Sequence, residues 1–274
     1  MFGRMKQWAN RNIGELFLAP SFILIILICA FPFIYSIFMS FHSWELASPL
    51  PKRFIGIENY ISIFKDTRFW LSLLRSIFVV GVGAIIQVVL GFSLGLLLHR
   101  EFRGRNIVTS FFLIPMVISP VVVGFMWKTI YSEQYGPLNY LLNVVFSLKS
   151  IPWLSDPAVA LLSITIANSW EWFPFVLLVT MGGLQTISDD HIHAAQIDGA
   201  SGWQITRWVV IPLLAPILLT IVLIRAIEDF KLFDIIYVLT HGGPGMSTET
   251  LNYLTYIKGF KFFSLGYSSA LSIV

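Results

Sequence analysis

Uninterrupted apolar runs separated by short polar stretches dominate the sequence and set its predicted elements. A bilayer core about 30 Å thick is crossed by roughly 20 apolar residues in a helix. Residues 16–41 and 76–98 meet that length with no charge inside. So do residues 106–127, where Pro115 and Pro120 predict a bend. A fourth run, about 158–184, is interrupted by Glu171. A fifth starts near Trp208 and meets Arg225 before it has crossed, so it is predicted to continue through Glu228, Asp229 and Lys231 to about Tyr237. A sixth begins at Gly266 and stops at Val274, too short to cross, so the chain is expected to end inside its last helix. Lipid admits only helices or closed barrels, and these runs are too long for barrel strands. The expected fold is all-α: a polytopic membrane helix bundle of six transmembrane helices with the last truncated.

Composition agrees. The chain is 56% hydrophobic and only 12% charged, where a soluble domain carries about a quarter of its residues charged. That shortage excludes a soluble enzyme, a disordered chain and a nucleic-acid binder. The single cysteine, Cys29, lies in an apolar run, where it reads as a small packing residue. No cluster suggests a metal site, and no cofactor is expected. The first run is too long for a cleaved signal core and lacks a small-residue cleavage site, so it is expected to remain as a membrane helix. Arg4, Lys6 and Arg11 precede it, and Arg100, Arg103 and Arg105 fill the second loop. If the spans alternate, both groups fall on one side, at a higher density than the basic residues on the other. By the positive-inside rule the N-terminus is cytoplasmic. Residues 1–15 form a cytoplasmic segment and 16–274 the transmembrane domain.

The cytoplasmic stretch 188–212 predicts two short helices. Ser188 is an N-cap with Asp189 and Asp190 in the first turn, where the helix dipole favours negative charge. Ala194 and Ala195 favour helix, Gly199 ends it, a second helix restarts near Ser201, and Pro212 marks the entry to the fifth span. Residues alone leave two readings equal: a loop lying on the membrane, or an element docked on a partner.

His193-Ala194-Ala195-x-x-Asp198-Gly199-Ala200, followed by Ile211-Pro212-Leu213, resembles the "EAA" loop of importer permeases of the ATP-binding-cassette (ABC) type. The likeness is greatest to the sugar-importer branch that includes maltose and glycerol-phosphate permeases. Asn168-x-Trp170-x-x-x-Pro174-Phe175 with Gly183-Leu184-Gln185 resembles that branch's fourth span. Phe233-Asp234 leading to Thr240-x-Gly242-Gly243-Pro244-Gly245 resembles the end of its fifth, and Ile57-Glu58-Asn59-Tyr60 its first periplasmic loop. The resemblance implies the type I importer permease fold in a bacterial inner membrane, with residues 188–212 as the coupling loop. It also implies four kinds of partner beside membrane lipid: a second homologous permease, two ATPase subunits, a periplasmic or lipid-anchored solute-binding protein, and a sugar. On this reading Asp189, Asp190, His193, Ala194, Ala195, Asp198 and Gly199 contact the ATPase. One position departs from the family: His193 stands where it usually has Glu. Asp189 and Asp190, four and three residues earlier, would present a carboxylate on the same helix face.

Ionisable groups at membrane depth are costly and mark function by default. Arg225 and Asp229 share a helix face, either as a structural pair or as part of a water-filled path. The resemblance places Trp172, Phe175, Arg225, Asp229 and Leu232 at the substrate site. Asn168 and Glu171 of the fourth run join them, since aromatic faces suit sugar rings and carboxylates or amides suit hydroxyls. An Arg225 not neutralised by Asp229 would hold an anionic sugar derivative. No Walker motif occurs, so ATP hydrolysis is expected on a separate subunit and the chain itself is not an enzyme. An ion-coupled secondary transporter is the alternative. It would use the membrane charges as its coupling site, but it leaves the EAA resemblance unexplained and is usually built from internal repeats, which this sequence does not show.

Overall fold

The structure, a computed structural model, describes residues 13–274. Arg4, Lys6 and Arg11, which carry part of the expected orientation, and most of the 1–15 segment lie outside the described residues. Two compact units emerge, one of residues 13–69 with Thr255–Val274 and the other of Trp70–Leu254.

In the first unit a helix, α1, runs through Ile13–Ile25, a π-helical turn Ile26–Ala30, and Phe31–Ser40. Most of its side chains lie open, Phe22 to Ile28 among them, because they are apolar on every face and need lipid or a partner rather than this chain's core. The short strands β1 (His42–Ser43) and β2 (Arg53–Phe54) pair antiparallel, and α2 (Glu58–Lys65) follows. Asn59 ties α2 to the end of α1, donating to the carbonyls of Ser40 at 2.8 Å and His42 at 3.0 Å. Met39, Ile63, Ala270 and Leu271 are buried among these elements.

The second unit is built around a buried helix. α3 (Thr67–His99) enters it, followed by α4 (Arg105–Val117), α5 (Pro120–Ile130), α6 (Pro137–Phe146), α7 (Pro157–Leu184), α8 (Asp189–Ile197), α9 (Gly202–Phe230) and α10 (Asp234–Leu239). Asp156 caps α7 by accepting from the Ala158 amide at 2.8 Å. α4, α5, α9 and α10 all pack on α7. The α3–α7 approach is set by glycine: a Cβ at Gly91 would lie 2.5 Å from Val176 Cβ, and one at Gly95 2.8 Å from Thr180 Cγ2. Such small-residue contacts let membrane helices pack at backbone distance. Beyond Leu254 the chain returns to the first unit, where α11 (Leu265–Ile273) packs on α1 and α2.

Three expectations change. Among the described residues, four helices are long and apolar enough to cross a membrane by themselves: Pro20–Ser40, Thr67–His99, Pro157–Leu184 and Gly202–Phe230. The third run, 106–127, is two helices, Arg105–Val117 and Pro120–Ile130, bent by 100°. Its break lies at Ile118 and Ser119, both extended, because a residue before proline is driven from the helical region. The fifth span does not continue to Tyr237; it ends at Phe230, and α10 is a separate helix. Its length comes from the other end. Pro212, expected as the entry, lies inside a helix that already starts at Gly202 and passes through a π-helical stretch, Thr206–Val210. The six-span count is thus four long helices, one bent pair and the short final helix.

Candidate substrate and coupling sites

The charges of α9 meet the polar side chains of two other helices. Arg225 is 2% exposed and pairs with Asp229, also 2% exposed, through Nη2 and Oδ1. The helical spacing of four residues sets that contact, and it is not left alone. Arg225 Nε donates to Gln87 Oε1 of α3 at 2.8 Å. Gln87 Nε2 donates to Asp229 Oδ2 at 3.0 Å, and Asn168 Nδ2 of α7 donates to Asp229 Oδ1 at 2.8 Å. Both carboxylate oxygens are therefore satisfied, as a buried ion pair requires. Gly83 makes room for the carboxylate, since a Cβ there would lie 3.2 Å from Asp229 Oδ2. The Arg225 guanidinium lies over the Trp172 ring, its Cζ 4.6 Å from the centroid.

The expected substrate residues thus separate into two groups. Asn168, Arg225 and Asp229 form one buried network, together with Gln87, which the sequence reading passed over. The signal was present: Gln87 is the only amide in the apolar run 76–98. Trp172, Phe175 and Leu232 are half-buried and keep accessible surface. Glu171 is buried, and its Oε2 is a carboxylate oxygen without a hydrogen-bond partner. Arg225 is paired, so the condition for an anion site there, an unneutralised guanidinium, is not met. Glu228 lies outside the network, exposed and paired with Lys231 at 2.8 Å.

The second candidate site is α8 and the start of α9. Ser188 caps α8 by accepting from the Asp190 amide, and Asp189 and Asp190 occupy the first turn. The helix ends in a Schellman turn. Gly199, at φ +79°, donates to Gln196 O at 3.0 Å, and Ala200 donates back to Ala195 O at 2.9 Å. Ser201 then opens α9 with a capping box, its backbone amide donating to Gln204 Oε1 at 2.7 Å while its hydroxyl accepts from the Gln204 amide. Ile192, Ala195 and Ala200 turn inward onto Leu184, Ile205, Val210 and Leu214, against which Phe92 and Leu96 of α3 also pack. The element is thereby pinned to three long helices. His193, Ala194, Asp198 and Gly199 are exposed with Asp189 and Asp190, while Ala195 is half-buried. Ile197 is 86% exposed and Trp203 and Trp208 are each 72% exposed. Large apolar side chains standing outside a firmly packed element mark a surface for a partner or a membrane.

Residues 87–273 match the family model described as binding-protein-dependent transport system inner membrane component. A probable ABC transporter permease protein of Sinorhizobium fredii, y4oQ, is 37% identical over 257 residues, covering 93% of this chain and 82% of its own. The trehalose/maltose transport system permease protein MalF of Thermococcus litoralis is 31% identical, covering 98% of this chain and 90% of its own. The sulfoquinovosyl glycerol transport system permease protein SmoG of Agrobacterium fabrum is 32% identical, covering 99% and 89%. Among solved structures, a bacterial ABC transporter involved in import of the acidic polysaccharide alginate superposes with a TM-score of 0.82 at 20% identity, over 98% of this chain and 92% of the matched one. The alginate transporter in complex with its pentasaccharide-bound periplasmic protein gives 0.84 at 19% identity, over 98% and 91%. At that identity the likeness concerns the fold.

Proposed function

We infer the work of this chain from what it is: it belongs to the family of binding-protein-dependent transport system inner membrane components. It is the transmembrane permease subunit of an ATP-driven sugar importer, and the ion-coupled alternative is not favoured. The finer assignments are ours. ATP is hydrolysed on two separate subunits, this chain pairs with a second permease, and a periplasmic or lipid-anchored binding protein delivers the sugar. The N-terminus faces the cytoplasm. Residues 188–212 are the loop the ATPase grips, and spans four and five carry the sugar contacts. Trp172 and Phe175 supply ring faces, Leu232 an apolar wall, and Glu171 an acceptor for a hydroxyl.

The observation that carries this reading is the element α8 to the start of α9. It is capped at each turn, packed on α3, α7 and α9 from inside, and apolar on its outside at Ile197, Trp203 and Trp208. A rigid element so attached passes a push on its outer face to the spans that hold the substrate candidates, as alternating access by rigid-body rocking requires. Asp189 and Asp190 stand in the first turn in place of the acid that His193 does not provide. The test is co-purification with the ATP-binding subunit: the wild-type chain is expected to retain it, and Ile197→Asp with Trp203→Asp to lose it while still inserting in membrane. Equal retention would contradict this use of the loop.

A further inference from the structure

Arg225 and Asp229 were expected to be either a structural pair or a substrate site. Gln87 gives them a third role. Its amide is fully buried and used at both ends, accepting from Arg225 Nε at 2.8 Å and donating to Asp229 Oδ2 at 3.0 Å. Asn168 closes the network from α7 at 2.8 Å. One edge of the guanidinium is thus occupied by Gln87 and Asp229, so its plane cannot turn about its own axis. The face left over lies on Trp172 with Cζ 4.6 Å from the ring centroid. A planar cation on an indole face is a specific attraction that orients both groups. Trp172 itself is only half-buried, so the ring held from within still presents surface outward.

We infer that Gln87 and Arg225 are positioning residues that hold the Trp172 indole for an uncharged sugar ring. The inference rests on the importer reading and deepens it. The charge of Arg225 is balanced by Asp229 and its donors are directed at Asp229 and Gln87, so the network offers no net positive charge to a carboxylated or sulfonated sugar. What it offers is a fixed aromatic face, which suits the C–H face of a neutral sugar.

The test uses the assembled importer in vesicles with its binding protein, and reads the number of sugar molecules imported per ATP hydrolysed. A role confined to folding or assembly lowers uptake and hydrolysis together and leaves that ratio unmoved. Trp172→Leu and Gln87→Ala are each expected to lower the ratio about tenfold, the scale of coupling seen between groups in one network. The double variant is expected to fall no further than Trp172→Leu, because Gln87 acts through that ring. Arg225→Lys keeps the charge for Asp229 but loses both the Nε donor and the planar face, and is expected to match Gln87→Ala. If Gln87→Ala does not assemble, Gln87→Asn, which shortens the amide by one methylene, is read in its place.

An unchanged ratio in Arg225→Lys or in the Gln87 variant would overturn the inference, as would multiplied losses in the double variant. So would a wild-type importer that moves an anionic sugar with a higher ratio than its neutral parent. A wild-type complex that imports no sugar at all would overturn the importer reading first and this inference with it, so the two failures are told apart in the unmodified protein.

Discussion

Arg225 and Asp229 show what a spacing can and cannot tell. Four residues apart on a helix, they are bound to meet, and the ion pair was legible in the sequence for that reason. Which other helix would answer them was not. Gln87 lies 138 residues before Arg225, and a single amide in an apolar run carries no periodicity that names its partner. Gly83 reads as a close-packing glycine in the sequence, but the same limit hid what approaches it: the Asp229 carboxylate. A buried charge stripped of its partner is far costlier than the pair is valuable, about 3–5 kcal/mol. Asp229→Ala is therefore expected to abolish folded protein, whereas Arg225→Met with Asp229→Leu restores it without restoring import. Yield and size-exclusion profile in detergent read both variants. A well-folded Asp229→Ala protein would mean that the guanidinium finds another counter-charge.

Among the elements, those governed by local chemistry were legible. Ser188, Gly199 and Ser201 announce two helices and the turn between them, and the caps are where they were expected. The bend between Pro115 and Pro120 was expected as well; its 100° depth was not, because a proline marks where a helix breaks but packing sets the angle. The fifth span was misjudged by counting outward from charges. α9 absorbs Pro212 near the start of an α-helical segment, where proline is tolerated, and so gains its length at its N-terminal end. Gly91→Leu drives a side chain into Val176 and the Phe173 carbonyl and is expected to cost about 1–3 kcal/mol, read as a lower thermal midpoint in detergent. Gly81→Ala, with nothing within 4 Å, is expected to leave the midpoint in place. Asp189→Ala with Asp190→Ala is expected to weaken retention of the ATPase subunit severalfold, since both carboxylates are exposed in the first turn of α8. Undiminished retention would mean that the loop is held by its apolar residues alone.

At the scale of the whole molecule, composition decided the class and motif spacing the family. Too few charges to cover a soluble globule, and apolar runs of membrane length, left a helical membrane protein. The candidate site was legible only in part for the opposite reason: it is a meeting of side chains from helices far apart in the chain. Trp172 and Phe175 were named in advance, but their division from the buried network beneath them needed three-dimensional packing. The central claim is that this chain couples ATP hydrolysis on a partner to passage of a sugar. The measurement that tests it most directly is ATP hydrolysis by the reconstituted complex with its binding protein, with and without sugar. Hydrolysis is expected to rise on addition of one sugar or a small set of sugars, and only when this permease and the binding protein are both present. A rate indifferent to every sugar, or unchanged when this chain is omitted, would contradict the account.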